Sequence, residues 1–324
     1  MIPAEWLVHA QSTLAEWVER TPVTFDPQLQ VYLKWENRQW TGSFKLRGAF
    51  NKIASLLPWE RERGLVTASA GNHGMGVAYA AREMGANAVI YASEHAVAKK
   101  VQSMRDLGAE VRLVPGGYTE AEAAGLAFSH ESAFTWVSPY NDGRVIAGQA
   151  TIGLEMVEQI QPFDVRSVVV PVGGGGLISG VALALRSKGV KARIIGVQSE
   201  ATAVMHAVFN GQPQESVVET PSLADGLSGL IEEGSMTVPL VQQLVDDIIL
   251  VSETSIENAI VYAWEKYGEV IEGSAAVVLA AVLTGKIAAL PAVLVISGGN
   301  IQPELHQNLI ARGKGQFGRA GSLP

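Results

Sequence analysis

The chain has no cysteine among its 324 residues, which excludes disulfide bonds and cysteine-ligated metal ions. This absence is typical of a reducing compartment, so we expect a cytoplasmic protein. Long apolar runs are also lacking. The longest, residues 275–283, has less than half of the about 20 residues that a transmembrane helix needs. Because the opening MIPAEWLVHA lacks the basic, apolar and small-residue order of a signal peptide, we expect neither a leader nor a membrane partner.

Charge is sparse and mainly negative. Charged residues make up 17% of the chain, and the net charge is -8 at pH 7. An acidic chain has no electrostatic footprint for nucleic acid, so no such partner is expected. Apolar residues account for 48%, which is typical of a globular protein with a large core. The length is sufficient for two domains or one large one.

Short apolar, β-branched segments alternate with segments of helical length, such as residues 77–84 and 256–267. The eight candidate strands are LVTAS, AVIYAS, EVRLV, FTWVS, SVVVPV, RIIGVQ, DIILVS and AVLVIS. Apolar strands separated by helices predict an α/β fold with parallel sheet covered on both faces. The periodicity is compatible with a closed barrel and with one or two open sheets. In both architectures, ligands bind at the carboxyl ends of the strands.

The segment QWTGSFKLRGAF places Lys45 at the beginning of a predicted helix. Ser43 is a suitable N-cap, and Phe50 and Ile53 continue an apolar helical spacing that ends at Pro58. The positive end of the helix opposes a second positive charge, so the pKa of Lys45 should be lowered. An amine with a lowered pKa is a nucleophile that can form a Schiff base. The competing interpretation is an ordinary exposed lysine.

Three glycine-containing turns follow predicted strands. VVVPVGGGGLISG has four consecutive glycines before a helix, which favours phosphate binding over a simple tight turn. TASAGNHGMG combines hydroxyl, amide and free N–H groups that suit a carboxylate, and we expect His73 to be structural rather than a catalytic base. VLVISGGN ends a strand with Ser297, whose neutral hydroxyl can pair with a ring nitrogen but cannot hold it protonated as a carboxylate could.

The motifs SFKLRGA, SAGNHG, GGGGL and SGGN resemble, in order and spacing, those of fold-type II pyridoxal-phosphate enzymes. The chain is most similar to the threonine/serine dehydratase and serine racemase group, over about residues 20 to 312. The resemblance implies the cofactor pyridoxal 5'-phosphate and two doubly wound domains with the cofactor in the cleft. It implies a small inserted domain at residues 55–144 and a large domain built from residues 1–54 and 145–324.

The resemblance also implies roles for the matching positions. Lys45 forms the Schiff base and takes the Cα proton, Asn72 bonds the ring 3-oxygen, and Glu272 lies near the far side of the ring. The implied cofactor-binding residues are Phe44, Lys45, Asn72, Asn141, Gly173, Gly174, Gly175, Gly176, Leu177, Gly226, Glu272 and Ser297. The implied substrate-binding residues, which hold a carboxylate, are Ser69, Ala70, Gly71, Asn72 and His73.

The implied reaction is β-elimination from a small amino acid, giving 2-oxobutanoate and ammonia from L-threonine, or pyruvate and ammonia from L-serine. Racemisation is an alternative that needs a second base, and serine racemases have a serine where this chain has Ala70. Dehydration of 3-hydroxyaspartate is another, and it requires an extra cation that the sequence does not locate. A phospholigand sensor without catalysis would not need Lys45 or Ser297, and a nicotinamide oxidoreductase lacks its acidic ribose-binding residue.

No metal site is expected, because Gln198 and Val204 stand where racemase-like members supply carboxylates; nearby Glu200 leaves room for a different register. Members of the family often form dimers or tetramers, so we expect a homodimer or homotetramer. The last strand pattern lies close to the C-terminus, so no appended regulatory domain is expected. The tail RGKGQFGRAGSLP is expected to be a frayed terminus.

Overall fold

The computed structural model describes residues 2–315 and residue 317. Strands and helices alternate along these residues, as the sequence pattern predicts. The strands are β1 (Val23–Asp26), β2 (Val31–Trp35), β3 (Leu65–Ala68), β4 (Ala88–Ser93), β5 (Glu110–Val114), β6 (Thr135–Trp136), β7 (Ser167–Pro171), β8 (Arg193–Ser199), β9 (Asp247–Val251) and β10 (Ala292–Ile296). The α-helices are α1 (Ala4–Leu14), α2 (Lys45–Ala54), α3 (Pro58–Arg63), α4 (Asn72–Glu83), α5 (Ala98–Asp106), α6 (Tyr118–Ser132), α7 (Gly143–Gln159), α8 (Gly176–Ser187), α9 (Val204–Phe209), α10 (Thr237–Leu244), α11 (Glu253–Tyr262), α12 (Gly273–Leu283) and α13 (Pro303–Gly313). Short 3-10 turns lie at Glu36–Arg38, Glu200–Thr202, Gln214–Ser216 and Asp225–Leu227, and a π-helical turn lies at Ala263–Tyr267.

The larger sheet has six strands in the order β1-β2-β10-β7-β8-β9, and only β1 runs antiparallel to its neighbour. Its central strands are buried on both faces. Val169 and Leu294 pack with α11 and α12 on one face, while Val168 and Val293 pack with α7 and α8 on the other. Such burial explains why these strands are continuous apolar runs in the sequence. The predicted parallel sheet with two covered faces is confirmed.

The smaller sheet has four parallel strands in the order β5-β4-β3-β6. Helices α4 and α5 cover one face, and α6 packs against β3 and β4 on the other. Its core also takes in Leu14 from α1 and Phe50 from α2, so residues outside the range 55–144 contribute to it. The exact division into two domains therefore stays a prediction. Both sheets are open, which answers the question of barrel or open sheet.

All eight predicted strands are confirmed, and β1 and β2 were missed. Strand β1 is an edge strand with Thr24 and Phe25 exposed, so it shows no continuous apolar run. Strand β2 carries the charged Lys34, which is nevertheless fully buried because it pairs with Glu155. A charge that is neutralised by a distant residue interrupts the local hydrophobic pattern, although it does not interrupt the strand.

The glycine-containing turns after β3, β7 and β10 lie at the carboxyl ends of parallel strands, where α/β folds place their ligands. Pro58 ends the α2 pattern as predicted, and it also begins helix α3. Within the described part of the chain, no helix combines the length and hydropathy required to cross a bilayer. The predicted frayed tail falls largely on residues 316 and 318–324, which lie outside the described residues.

Candidate active site

Helix α2 begins at Lys45, and its N-cap is Phe44 rather than Ser43. The prediction of Ser43 as N-cap is wrong, because its backbone forms a bridge with Gly298 beyond the end of β10. The Ser43 hydroxyl is buried and has no hydrogen-bond partner among the described residues. The Phe44 N–H donates to the Ser297 carbonyl over 3.0 Å, so strand β10 fixes the start of the helix.

The amine of Lys45 is buried, although the residue as a whole is only half-buried. Its Nζ donates to the Pro139 carbonyl over 2.9 Å and lies 5.3 Å from the centre of the Phe44 ring. Burial lowers the pKa of Lys45 to about 8, against the opposing effect of Glu272. The predicted direction is confirmed, but burial is its main cause rather than the helix dipole.

The four consecutive glycines form a cradle between β7 and α8. A Cβ atom on Gly174 would lie 2.6 Å from the ring of Tyr140, and one on Gly176 would lie 2.9 Å from the Tyr140 Cβ. Gly175 has a φ of +86°, which favours glycine. The N–H groups of the first turn of α8 have no partner within the helix, so they are available to an anion. Leu177 follows in this turn and is buried in the core.

The segment Pro139–Tyr140–Asn141 connects Lys45 to the glycine cradle. Pro139 accepts from the amine, and Tyr140 packs against the glycines. The Asn141 amide donates to the Glu232 carboxylate over 2.7 Å, and its oxygen accepts from the Met236 N–H over 3.0 Å. Asn141 therefore lies beside the cradle and has its side chain bonded to the 232–236 loop. The contribution of Tyr140 was not predicted, because an aromatic residue in a loop carries no distinctive signal.

Asn72 and Glu272 form a hydrogen-bonded group next to the end of β10. The Asn72 amide donates to Glu272 over 2.7 Å, while the Asn72 oxygen accepts from Asn300 over 2.7 Å. Burial, followed by the charge of Asp225, raises the pKa of Glu272 to about 7. A Cβ on Gly298 would lie 2.5 Å from the Glu272 Oε1, so a side chain at this position would displace the Glu272 carboxylate. The contact made by Asn300, the last residue of the SGGN motif, was not predicted.

Ser297 and Gly226 complete the group of cofactor positions suggested by the sequence. Ser297 is buried at the carboxyl end of β10. The Gly226 N–H donates to the Ser274 hydroxyl over 3.0 Å, which places it at the beginning of α12, close to Glu272. A Cβ on Gly173 would lie 3.1 Å from the Leu227 Cα, so the Gly226 turn also borders the glycine cradle.

The turn at residues 69–73 joins β3 to α4. The Ser69 hydroxyl accepts from the Gly71 N–H over 3.1 Å, Gly71 is the N-cap of α4, and Ala70 is exposed. The buried ring of His73 has its Nε2 3.0 Å from the Val137 carbonyl. Burial, followed by the nearby charge of Lys45, lowers the pKa of His73 to about 3, so its ring is neutral. These contacts agree with a structural role for His73.

A buried group of charges lies behind helix α2, and the sequence did not reveal it. Arg47 is fully buried, and its guanidinium donates to both carboxylate oxygens of Glu36 and of Glu155. Lys34 donates to the same Glu155 over 2.5 Å. These contacts attach the helix that carries Lys45 to β2 and α7. The basic residue within SFKLRGA is the only signal that could have indicated them.

The positions considered for a metal ion are occupied by other interactions. The Gln198 amide donates to the Thr202 carbonyl over 3.1 Å, and its oxygen accepts from the His206 N–H over 2.7 Å. Val204 is buried, and the Glu200 carboxylate lies 3.9 Å from the Lys286 amine. In residues 2–315 and 317, no group of three or more His, Asp or Glu side chains is arranged to hold a metal ion.

The site therefore combines a buried amine, a glycine cradle at a helix N-terminus, and a neutral hydroxyl at a strand end. The amine can form a Schiff base with an aldehyde, and the cradle suits a phosphate. Glycine is required at Gly174 and Gly176 because a side chain at either position would overlap Tyr140. This set of donors fits an aldehyde that carries a phosphate group.

Comparisons with known proteins agree with this chemistry. The family described as pyridoxal-phosphate dependent enzyme matches residues 14–298. The L-threonine ammonia-lyase of Thermotoga maritima is 43% identical over 98% of this chain and 80% of that protein. The catabolic L-threonine dehydratase of Escherichia coli K12 is 41% identical over 84% of this chain and 83% of that protein.

Solved structures are similar over nearly the whole chain. Processed threonine deaminase isoform 2 from Solanum lycopersicum has a TM-score of 0.87 and 30% identity, and the match covers 96% of this chain and 93% of that one. Maize serine racemase has a TM-score of 0.86 and 30% identity, with 95% and 96% covered. The same fold thus occurs in proteins named for deamination and for racemisation.

Proposed function

This chain belongs to the family of pyridoxal-phosphate dependent enzymes, and we propose that it deaminates L-threonine to 2-oxobutanoate and L-serine to pyruvate, with release of ammonia. The observation that carries the proposal is the buried amine of Lys45, with a pKa of about 8, beside the glycine cradle. The named L-threonine ammonia-lyases and dehydratases that are similar along most of the chain support the choice of substrate.

The residues of the site fit the cofactor. Bound pyridoxal phosphate supplies an aldehyde for the amino group and an electron sink for the carbanion at Cα. The backbone of residues 173–177 would hold its phosphate at the positive end of α8. Phe44 and Asn72 would border its ring, Ser297 would face the ring nitrogen, and Asn141, Gly226 and Glu272 would surround these contacts.

Lys45 serves as both the attachment point and the base in this proposal. With a pKa of about 8, a useful fraction of its amine is unprotonated near neutral pH, and the protonated form is not greatly disfavoured. Nζ can therefore take the proton from the substrate Cα and hold it. The Pro139 carbonyl, which accepts from Nζ over 2.9 Å, orients the amine while it carries that proton.

The turn at residues 69–73 would hold the substrate carboxylate. It offers the Ser69 hydroxyl and the free N–H groups at the start of α4. His73 is neutral and bonded to Val137, so it orders the turn rather than transferring protons. Ala70 has no proton to exchange on the opposite face of the substrate, which favours elimination over racemisation.

Three further expectations, on domain division, location and assembly, accompany this function. The division into a domain at residues 55–144 and a domain from residues 1–54 and 145–324 is supported by the two separate sheets. A cytoplasmic location is supported by the absence of cysteine. Assembly as a homodimer or homotetramer is expected because members of the family often form dimers or tetramers.

A substrate panel tests the proposal. The purified holoenzyme is incubated with L-threonine, L-serine and 3-hydroxyaspartate, and the 2-oxo acid and ammonia are measured. We expect 2-oxobutanoate from L-threonine and pyruvate from L-serine. Product from 3-hydroxyaspartate alone would refute the proposed substrates. D-serine accumulating from L-serine faster than pyruvate would show that the protein is mainly a racemase.

A further inference from the structure

Lys100 brings a positive charge to the turn that joins β3 to α4. It lies in the first turn of helix α5, and its side chain extends toward Gly71. A Cβ atom on Gly71 would lie 3.7 Å from the Lys100 Nζ and 3.8 Å from its Cδ. Because Gly71 is the N-cap of α4, the ammonium lies at the positive end of that helix.

This arrangement leaves the ammonium without an anion in direct contact with it. Among the residues that the structure describes, Lys100 forms no ion pair and its amine makes no hydrogen bond. Its charge acts at longer range on Glu272, whose oxygen already accepts from the Asn72 amide. The ammonium and the positive end of α4 repel each other, and an anion placed between them would be stabilised by both.

We propose that Lys100 is a substrate-binding residue whose ammonium pairs with the α-carboxylate of the amino acid at residues 69–73. The inference rests on the proposed function and adds to it a charged contact from α5. The Ser69 hydroxyl and the N–H groups at the start of α4 provide hydrogen bonds at the same point, and Lys100 provides the compensating charge. A charge-assisted hydrogen bond of this kind is stronger than the neutral contacts of the turn.

The preceding residue offers a matched control. Lys99 has the same side chain on the same helix, and it is exposed. Its carbonyl accepts from the Ser103 hydroxyl, a contact that does not involve the amine. Lys99→Met and Lys100→Met therefore remove the same charge from neighbouring positions, and only the second removes it from the turn.

The test compares these two variants and Lys100→Arg as holoenzymes. KM and kcat are measured with L-threonine. The dissociation constant of L-alanine, which has the carboxylate but no β-leaving group, is measured from the change in cofactor absorbance. We expect Lys100→Met to raise both the KM and the L-alanine dissociation constant about tenfold or more, with a smaller change in kcat. Lys99→Met should differ from the wild type by less than about twofold, and Lys100→Arg should retain much of the affinity.

Equal affinities of Lys100→Met and Lys99→Met for L-alanine would overturn the inference. So would a Lys100→Met enzyme that loses affinity for 3-hydroxyaspartate alone, because Lys100 would then bind a second carboxylate. The L-alanine titration does not require turnover. A wild-type protein that binds L-alanine but releases no 2-oxo acid would refute the proposed function, while the comparison of Lys100 with Lys99 would still test this inference.

Discussion

Lys45 and Arg47 lie two residues apart on helix α2, and the protein treats their charges in opposite ways. The guanidinium of Arg47 is fully buried, and Glu36 and Glu155 outweigh the effect of burial and raise its pKa. Lys45 forms no ion pair among the described residues, and burial lowers its pKa to about 8. The carboxylates bonded directly to Arg47 thus keep it charged in spite of burial, whereas Lys45, with no directly bonded carboxylate, is left as an amine that can react at neutral pH.

The largest effect is expected from Lys45→Ala. Without the amine there is no group to form the Schiff base or to move the Cα proton, so kcat should fall by at least about a thousandfold. The absorption band of the lysine-bound cofactor should also disappear, as a spectrum of the purified variant would show. Lys52→Ala is the control, because Lys52 lies on the same helix but its amine pairs with the Asp142 carboxylate. A yellow Lys45→Ala protein would contradict the assignment.

Arg47→Met tests the other half of the comparison. The substitution leaves the carboxylates of Glu36 and Glu155 buried and without their guanidinium, which should lower the free energy of unfolding by about 3–5 kcal/mol. Urea unfolding of the apoprotein measures this loss. Arg47→Lys keeps the charge but not the bidentate contacts, so its free energy of unfolding should lie between those of the wild type and Arg47→Met. A loss of less than about 1 kcal/mol for Arg47→Met would show that the buried charges are not mutually dependent.

These contacts explain which parts of the structure could be predicted from the sequence. Strands such as β7 and β10 are buried on both faces, so their own residues carry the signal. Strand β2 was missed because Lys34 interrupts its apolar pattern. The charge of Lys34 is neutralised by Glu155, which lies 121 residues further along the chain. Local patterns report what a residue is, and they do not report a partner that only the folded chain supplies.

The same limit applies to the site. The motifs predicted a nucleophile at Lys45 and a phosphate cradle at residues 173–176, because a nucleophile and a backbone cradle are encoded in short segments. The cause of the lowered pKa at Lys45 was not visible, since burial depends on packing between distant segments. Lys100 was also overlooked. In the sequence it is one of two adjacent lysines on a polar helix, and only the approach of α5 to α4 distinguishes it from Lys99.

Glu272 allows the effect of burial on a pKa to be tested for an acidic group. Its pKa is raised from 4.5 to about 7, so the folded protein holds this proton more tightly than the unfolded chain. The contribution of the Glu272 carboxyl to the free energy of unfolding is fully present below pH 4.5 and is lost as the pH rises toward 7. At 1.36 kcal/mol per pKa unit, this loss amounts to up to about 3 kcal/mol. We expect the Glu272→Gln apoprotein to gain stability relative to the wild type as the pH rises, in urea unfolding at pH 5 and 7.5.

Asp225→Asn is the matched control for that experiment. The charge of Asp225 is the second cause of the raised pKa of Glu272, after burial. Removing it should lower that pKa and weaken the dependence of stability on pH without abolishing it. If the wild type and Glu272→Gln change in parallel between the two pH values, the carboxyl of Glu272 titrates at its ordinary pKa and the comparison with Lys45 does not hold.

The smallest effect is expected for an ion pair whose two side chains are both exposed. Arg20 and Glu158 lie 3.1 Å apart, with side chains that are 56% and 45% exposed. In water the attraction between the two charges is screened, and holding two long side chains in one geometry costs conformational entropy. Arg20→Met should therefore change the free energy of unfolding by less than about 0.5 kcal/mol in the same urea experiment as Arg47→Met. A loss at Arg20 equal to that at Arg47 would mean that pairing alone, rather than pairing combined with burial, determines how strongly each arginine stabilises the fold.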